Sequence, residues 1–153
     1  MNPLIFLHAI AGLLGTIAFV WVLLELKKPA PENYAMAHTA AALGVMLLLF
    51  SWAMGGYHYV TVYGPQVKPL VKETLAWVHD IGTESKEHLF LFLPFLALAD
   101  LALIDYAFRK KSLAALKIAR TLAAAIVVLG LIITVEGFLI TNTARAALEA
   151  QAP

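Results

Sequence analysis

The sequence contains no cysteine, and only 14% of its 153 residues are Asp, Glu, Lys or Arg. The lack of cysteine excludes disulfides, thiolate metal sites, iron–sulfur clusters and covalent attachment of a c-type haem. The net charge of +1 excludes a strongly basic surface, so no nucleic acid is expected as a partner. Hydrophobic residues make up 61% of the chain, against about half in soluble domains. This composition predicts an integral membrane protein whose main partner is the lipid bilayer.

Four apolar runs are long enough to cross a bilayer, which takes about 20 residues of helix. They occupy residues 4–26, 35–54, 88–108 and 118–141. They use most of the chain and leave no room for a separate soluble domain, so residues 1–153 are predicted to form a single membrane domain. Consecutive runs are expected to pair antiparallel, which predicts an all-α fold with four transmembrane helices in an up-down bundle.

The longest polar interruption of the apolar sequence covers residues 55–87 and separates the second run from the third. Within it, residues 65–81 carry apolar side chains at roughly helical spacing, which is typical of a helix lying on a membrane interface. This segment is therefore predicted to be an outer loop that contains an interfacial amphipathic helix.

The basic residues indicate which way the helices run through the membrane. Most of them fall on one side of the predicted bundle: Lys27, Lys28, Arg109, Lys110, Lys111, Lys117 and Arg120. Cytoplasmic loops carry an excess of Lys and Arg, so this side is predicted to face the cytoplasm. Both termini and residues 55–87 are then expected outside, with the protein in the inner (plasma) membrane of a prokaryote. No basic residue precedes the first run, which is interpreted as a retained helix rather than a cleaved signal.

Each predicted helix places one side chain of the kind that binds metals near its outer end. These are His8, His58, His88 and Glu136, which a helix rise of about 1.5 Å per residue puts at a similar depth. An ionisable residue in a membrane helix is costly and marks a functional site by default. The alternative is that each side chain reaches separately to water at the interface. Because all the helices share the feature, one common site is favoured.

The residues beneath His8 favour a planar cofactor at this site. Gly12 and Gly15 share its helix face, and glycines there leave a flat slot in which a macrocycle could lie. The alternative role for both glycines is close helix packing. The leading hypothesis is a redox protein that binds haem b, with His8 as one axial ligand and His58 or His88 as the other. The general plan resembles that of four-helix membrane cytochromes b, without a shared sequence motif.

On this hypothesis the protein transfers electrons, with a quinone or a membrane redox protein as its partner. Glu136 would bond to an imidazole or take up protons when a quinone is oxidised.

A second hypothesis is a protein that binds or transports a transition metal ion. Copper, zinc or iron would then be held directly by His8, His58, His88 and Glu136. A third hypothesis is a non-catalytic subunit of a larger membrane complex. The sequence has no Glu-x-x-His, His-Glu-x-x-His or Gly-x-Ser-x-Gly motif, so neither a di-iron carboxylate site nor hydrolase chemistry has support.

Further polar groups are expected deeper in the bundle. Arg120 lies at a depth comparable to those of Asp100 and Asp105, and an ion pair with either is favoured over a proton path. His38 is about 30 Å of helix away from His58, so it cannot join the outer site. The sequence therefore predicts at most one haem with two histidine ligands, unless a methionine takes part.

Overall fold

The structure is a computed structural model that describes residues 3–27 and 30–149, and these residues are helical almost throughout, with no strand. The α-helices of this part of the chain are α1 Pro3–Glu25, α2 Pro31–His58, α3 Lys68–Trp77, α4 Glu84–Arg109 and α5 Leu113–Glu149. Two π-helical segments, Tyr59–Val67 and Val78–Thr83, connect α2 to α3 and α3 to α4. The prediction of an all-α architecture is confirmed over the described ranges.

Four stretches of helix are long and apolar enough to cross a membrane: Pro3–Glu25, Glu32–Glu73, Leu75–Arg109 and Leu113–Glu149. Their outward faces carry large apolar side chains. Phe92, Phe95 and Phe138, for example, are 65%, 61% and 68% exposed. Extensive apolar surface of this kind is unusual on a soluble monomer, and it is compatible with contact with lipid. The prediction of a four-helix bundle with membrane-compatible helices is therefore confirmed.

The first two long helices, α1 and α2, pack against each other through small residues. A Cβ atom added at Gly15 of α1 would lie 2.9 Å from the side chain of Leu48 in α2. A Cβ atom added at Gly44 of α2 would lie 2.7 Å from the ring of Phe19 in α1. Residue numbers rise along α1 as they fall along α2, so the two helices run antiparallel. Small residues at such positions let helix backbones approach closely.

The other long helices complete the bundle in the same antiparallel manner. Tyr34, at the start of α2, donates a hydrogen bond of 2.9 Å to Asp105 near the end of α4. Ser85, at the start of α4, donates one of 2.7 Å to Glu136 in the second half of α5. Finally, α5 packs against α1. The order around the bundle is therefore α1, α2, α4, α5.

The two ends of the bundle differ in their side chains. One end, which we call the alanine-rich half, has a core with many small buried residues: Ala37, Ala40, Ala41, Ala97, Ala107, Ala115, Ala119 and Ala123. The other end, which we call the histidine end, is defined by His8, His58 and His88 and adjoins the segment that connects α2 to α4. The small side chains allow close helix packing in the alanine-rich half.

The second long helix continues past the predicted end of its apolar run at residue 54. The next turn includes Gly55 and Gly56 and is still part of α2. Neither glycine adopts the positive φ that commonly ends a helix, so the helix continues to His58. The predicted boundary marks a change in side-chain polarity rather than the end of the helix.

The connecting segment, residues 55–87, is more regular than the predicted outer loop. It is helical nearly throughout, and α3 falls inside the range predicted for the interfacial helix, 65–81. The chain bends at Leu75, whose φ of −147° and ψ of 75° interrupt α3. The last helix, α5, also extends beyond its apolar run and reaches Glu149, because its final turns are rich in alanine, the strongest helix former.

Candidate functional site

A cavity of about 610 Å³ lies at the histidine end, between α1, α2, α4 and α5. Most of its wall is apolar, and its polar side chains include His8, Ser51, His58, Lys86 and Glu87. Pockets that hold cofactors and small ligands are commonly about 300 to 1,000 Å³ and mostly apolar, with a few polar groups that fix orientation. This cavity is therefore the candidate ligand site of the bundle.

Contacts with α2 and α4 fix His8 at the wall of this cavity. Its Nδ1 lies 2.9 Å from the backbone carbonyl oxygen of Ser51 and 3.0 Å from the hydroxyl of the same residue. Because the carbonyl oxygen can only accept, we assign the proton of the neutral imidazole to Nδ1. The hydroxyl of Ser51 in turn donates a hydrogen bond of 2.8 Å to the carbonyl oxygen of His8. The imidazole also meets the ring of Phe90 edge to face, with centroids 5.3 Å apart. This tautomer leaves the lone pair of Nε2 free to bind a metal.

Gly55 provides the space that the imidazole of His8 occupies. A Cβ atom added at Gly55 would lie 2.6 Å from Nδ1 of His8, closer than real side chains approach. At Gly56, an added Cβ atom would meet nothing within 4 Å. Ser51 and Gly55 are one turn apart on the same face of α2. This serine–glycine spacing is a sequence signal of the site, and reasoning from histidines and carboxylates alone misses it.

His58 is the second histidine of the cavity. It lies two turns after Ser51 along α2 and is half-buried. Its Nδ1 is buried and has no hydrogen-bond partner among residues 3–27 and 30–149. Both His58 and His8 line the cavity. Two of the four predicted ligand residues therefore lie together at the cavity.

The other two predicted ligand residues lie elsewhere. His88 is exposed, and its Nδ1 is 2.6 Å from the carbonyl oxygen of Glu84 in its own helix. One carboxylate oxygen of Glu136 accepts a hydrogen bond from Ser85. Neither His88 nor Glu136 lines the cavity. In the part of the chain that the structure describes, no three His, Asp or Glu side chains are grouped closely enough to hold a metal ion, so the predicted four-residue metal set is not assembled.

The second long helix occupies the space beside Gly12 and Gly15. A Cβ atom added at Gly12 would lie 3.0 Å from Oγ of Ser51, and one added at Gly15 would lie 2.9 Å from Leu48. The predicted flat slot for a macrocycle below His8 is therefore filled by side chains of α2. Both glycines permit close packing of α1 against α2, and Gly12 also lines the cavity.

Lys86 brings a cationic side chain to the cavity. It stands in the first turn of α4 and reaches across to α5, where a Cβ atom added at Gly137 would lie 2.9 Å from its Nζ. Among the residues that the structure describes, Lys86 has no hydrogen-bond partner and no carboxylate within ion-pair distance. The sequence alone did not identify this lysine.

The remaining histidines, His38 and His79, do not line the cavity. His79 is buried, and its Nδ1 lies 3.2 Å from the hydroxyl of Tyr63, which is also 3.2 Å from the hydroxyl of Thr83. These three side chains join the two π-helical segments, and Tyr63 and Thr83 also form part of the cavity wall. His38 lies near Tyr34 in the alanine-rich half, with ring centroids 5.9 Å apart.

Asp100 is fully buried in the alanine-rich half, and neither of its carboxylate oxygens has a hydrogen-bond partner within the described ranges. Arg120 is exposed on α5 and forms no ion pair with a residue of those ranges. The predicted ion pair between Arg120 and an aspartate is therefore absent. Asp105 instead accepts a hydrogen bond from Tyr34 and pairs with Arg109, one turn away in the same helix.

The cavity therefore combines two imidazoles, one of them held in the tautomer that ligates through Nε2, with an unpaired ammonium group and apolar walls. Comparison of the chain with protein-family models, curated proteins and solved structures finds no match.

Proposed function

We propose that this protein is a membrane-embedded, b-type haem protein that transfers electrons. The haem would occupy the cavity at the histidine end, with His8 and His58 as axial ligands. The observation that carries the proposal is the hydrogen bond of 2.9 Å from Nδ1 of His8 to the carbonyl oxygen of Ser51. Metal-binding histidines almost always donate their other ring N–H to such an acceptor, which fixes the tautomer and the ring orientation.

The number of grouped ligands favours haem over a bare metal ion. A zinc ion takes three or four protein ligands, and the described residues contain no such group. In haem the porphyrin supplies the equatorial ligands, so the protein needs to provide only the axial ones. Two imidazoles at one cavity meet that requirement.

The surroundings of the two other candidates favour His58 over His88 as the second axial ligand. His58 lines the cavity, and its Nδ1 lacks a partner within residues 3–27 and 30–149. His88 is exposed and bonds to the carbonyl oxygen of its own helix. A ligand role for His88 would require its side chain to leave that bond and turn inward.

The electron partner follows from the proposed setting. Bound haem b would supply a one-electron redox centre. A quinone dissolved in the bilayer, or a membrane redox protein, would exchange electrons with it. The protein's own residues would fix the iron through His8 and His58 and exclude water through the apolar wall of the cavity.

The decisive measurement is a visible absorption spectrum of the purified protein before and after reduction with dithionite. We expect a Soret band that shifts and sharpens on reduction. The variants His8→Ala and His58→Ala should lose it, while His88→Ala is the matched control and should keep it.

A protein that stays colourless after expression with added haem precursor, and after incubation with haemin, would overturn the proposal. Elemental analysis for copper, zinc and iron would then test the metal-ion hypothesis. Equal loss of the Soret band in all three histidine variants would contradict the assignment of His58 over His88.

A further inference from the structure

The side chain of Lys86 lines the cavity and brings an ammonium group to it. The side chain crosses from α4 to α5 and lies over Gly137, where an added Cβ atom would be 2.9 Å from Nζ. A larger residue at position 137 would have to displace the lysine. Nζ is the end of a flexible side chain, so Gly137 leaves room for the ammonium group without fixing its position.

Among residues 3–27 and 30–149, no carboxylate forms an ion pair with this ammonium group. Glu136 stands beside Gly137, but its carboxylate accepts a hydrogen bond from Ser85 and lies outside ion-pair distance of Nζ. Glu87 follows Lys86 in the sequence and also lines the cavity, without pairing with it. A cation between apolar helices is costly unless it meets an anion.

We propose that Lys86 binds a carboxylate group of the ligand in the cavity. On the proposed function, on which this inference rests, that carboxylate is a propionate of haem. Haem has an apolar macrocycle with two carboxylates on one edge. Lys86 lines the same cavity as His8 and His58, so the ammonium group and the two histidines border the same space. The carboxylate edge of the porphyrin would then point toward the first turn of α4.

The test is a binding titration of the full-length protein with porphyrins that differ only in charge. The probes are haem b, its dimethyl ester, iron-free protoporphyrin IX and the dimethyl ester of that compound. We expect the wild-type protein to bind each free acid about tenfold more tightly than its ester, which corresponds to about 1.4 kcal/mol for one charge-assisted contact. In Lys86→Met the preference should disappear, and in Lys86→Arg it should remain.

The matched control is Lys72→Met. Lys72 is on the surface and pairs with Asp80 at 3.1 Å, away from the cavity wall. This variant should keep the wild-type preference for the free acids. If Lys86→Met does not fold, the comparison of Lys86→Arg and Lys86→Gln with the wild type carries the test.

The outcomes separate the two proposals. Haem binding that depends on His8, with an unchanged acid preference in Lys86→Met, overturns the role of Lys86 and leaves the haem proposal standing. An acid preference that depends on Lys86, with no effect of iron or of His8→Ala, supports the role of Lys86 and overturns axial ligation. If the wild-type protein binds none of the four porphyrins, both proposals are wrong.

Discussion

The two halves of this bundle use small residues for different purposes. In the alanine-rich half, buried alanines on facing helices allow the helices to approach closely, and a continuous core results. At the histidine end, glycines leave room for ionisable side chains: Gly55 for the imidazole of His8 and Gly137 for the ammonium group of Lys86. The comparison shows that a small residue in a helix can mark either close packing or the position of a side chain from a neighbouring helix.

The two halves also differ in how their buried polar groups are hydrogen-bonded. At the histidine end, His8 and Ser51 are joined by reciprocal hydrogen bonds across two helices. In the alanine-rich half, Asp100 is buried with neither carboxylate oxygen bonded to a described residue. The histidine end contains a cavity bordered by bonded polar groups, whereas the alanine-rich half forms a packed core between the helices.

The largest expected effect comes from adding bulk to the alanine-rich half. Ala119 is completely buried, so Ala119→Leu should lower the free energy of unfolding by about 3 kcal/mol through overpacking. Ala124, on the same helix, is exposed, and Ala124→Leu should change it by less than about 0.5 kcal/mol. Thermal unfolding in detergent, followed by circular dichroism, measures the difference. Equal effects of the two substitutions would show that this half is not closely packed.

The second-largest effect is a difference in haem affinity between substitutions at two neighbouring glycines of the histidine end, Gly55 and Gly56. An added Cβ atom at Gly55 would collide with the imidazole of His8, so Gly55→Ala should weaken haem binding by about tenfold. Gly56→Ala adds the same atom where nothing lies within 4 Å and should leave the affinity unchanged. Haem titration of both variants makes the comparison. A normal affinity in Gly55→Ala would show that the position of His8 does not depend on this glycine.

A smaller effect of opposite sign is expected at Asp100. Asp100→Asn removes the ionisable carboxyl group and should raise the free energy of unfolding by about 1 kcal/mol, because a carboxylate buried without a partner among the described residues is unfavourable. Asp105→Asn removes the charge that pairs with Arg109 and should lower the free energy of unfolding. Chemical unfolding of the two variants in detergent measures both changes. A loss of stability in Asp100→Asn would mean that the carboxylate has a favourable role in the folded state.

The smallest effect is expected from the hydroxyl of Ser51. Ser51→Ala removes the hydrogen bond to the carbonyl oxygen of His8 and should cost about 0.5 kcal/mol of stability. Thr121→Ala removes an exposed hydroxyl that bonds only within its own helix and should cost less. Thermal unfolding of the two variants in parallel provides the measurement. Identical behaviour would mean that the contact between α1 and α2 does not depend on this bond.

The helices could be predicted from the sequence because apolar length and helix length are physically linked in a membrane protein. Their ends could not, since backbone hydrogen bonding continues after the apolar residues stop, as in α2 beyond residue 54 and α5 beyond residue 141. The position of His8 and His58 at the same end of the bundle was predictable from the helix rise. The outward direction of His88 was not, because it depends on how α4 is rotated in the bundle.

The atoms that pack beside the glycines could not be predicted from the sequence either. Gly12 and Gly15 share a face with His8 in the sequence pattern, but which atoms fill the space beside them depends on the neighbouring helix. The register of α1 against α2 determines that Leu48 lies beside Gly15. The same register places Ser51 and Gly55 at the imidazole, so sequence reasoning on one helix at a time could not find them.

The contact between α1 and α2 has a consequence for how the protein is made. Both proposed axial ligands belong to this one hairpin, which has the most extensive contact between any two described helices. During synthesis from the N-terminus, the hairpin leaves the ribosome before α4 and α5 are complete. The pair of imidazoles can therefore form early in biogenesis, while Lys86 and Gly137 arrive only with the second half of the chain. Cofactor capture and the final orientation of the cofactor would then be separate steps in assembly, each assigned to a different hairpin.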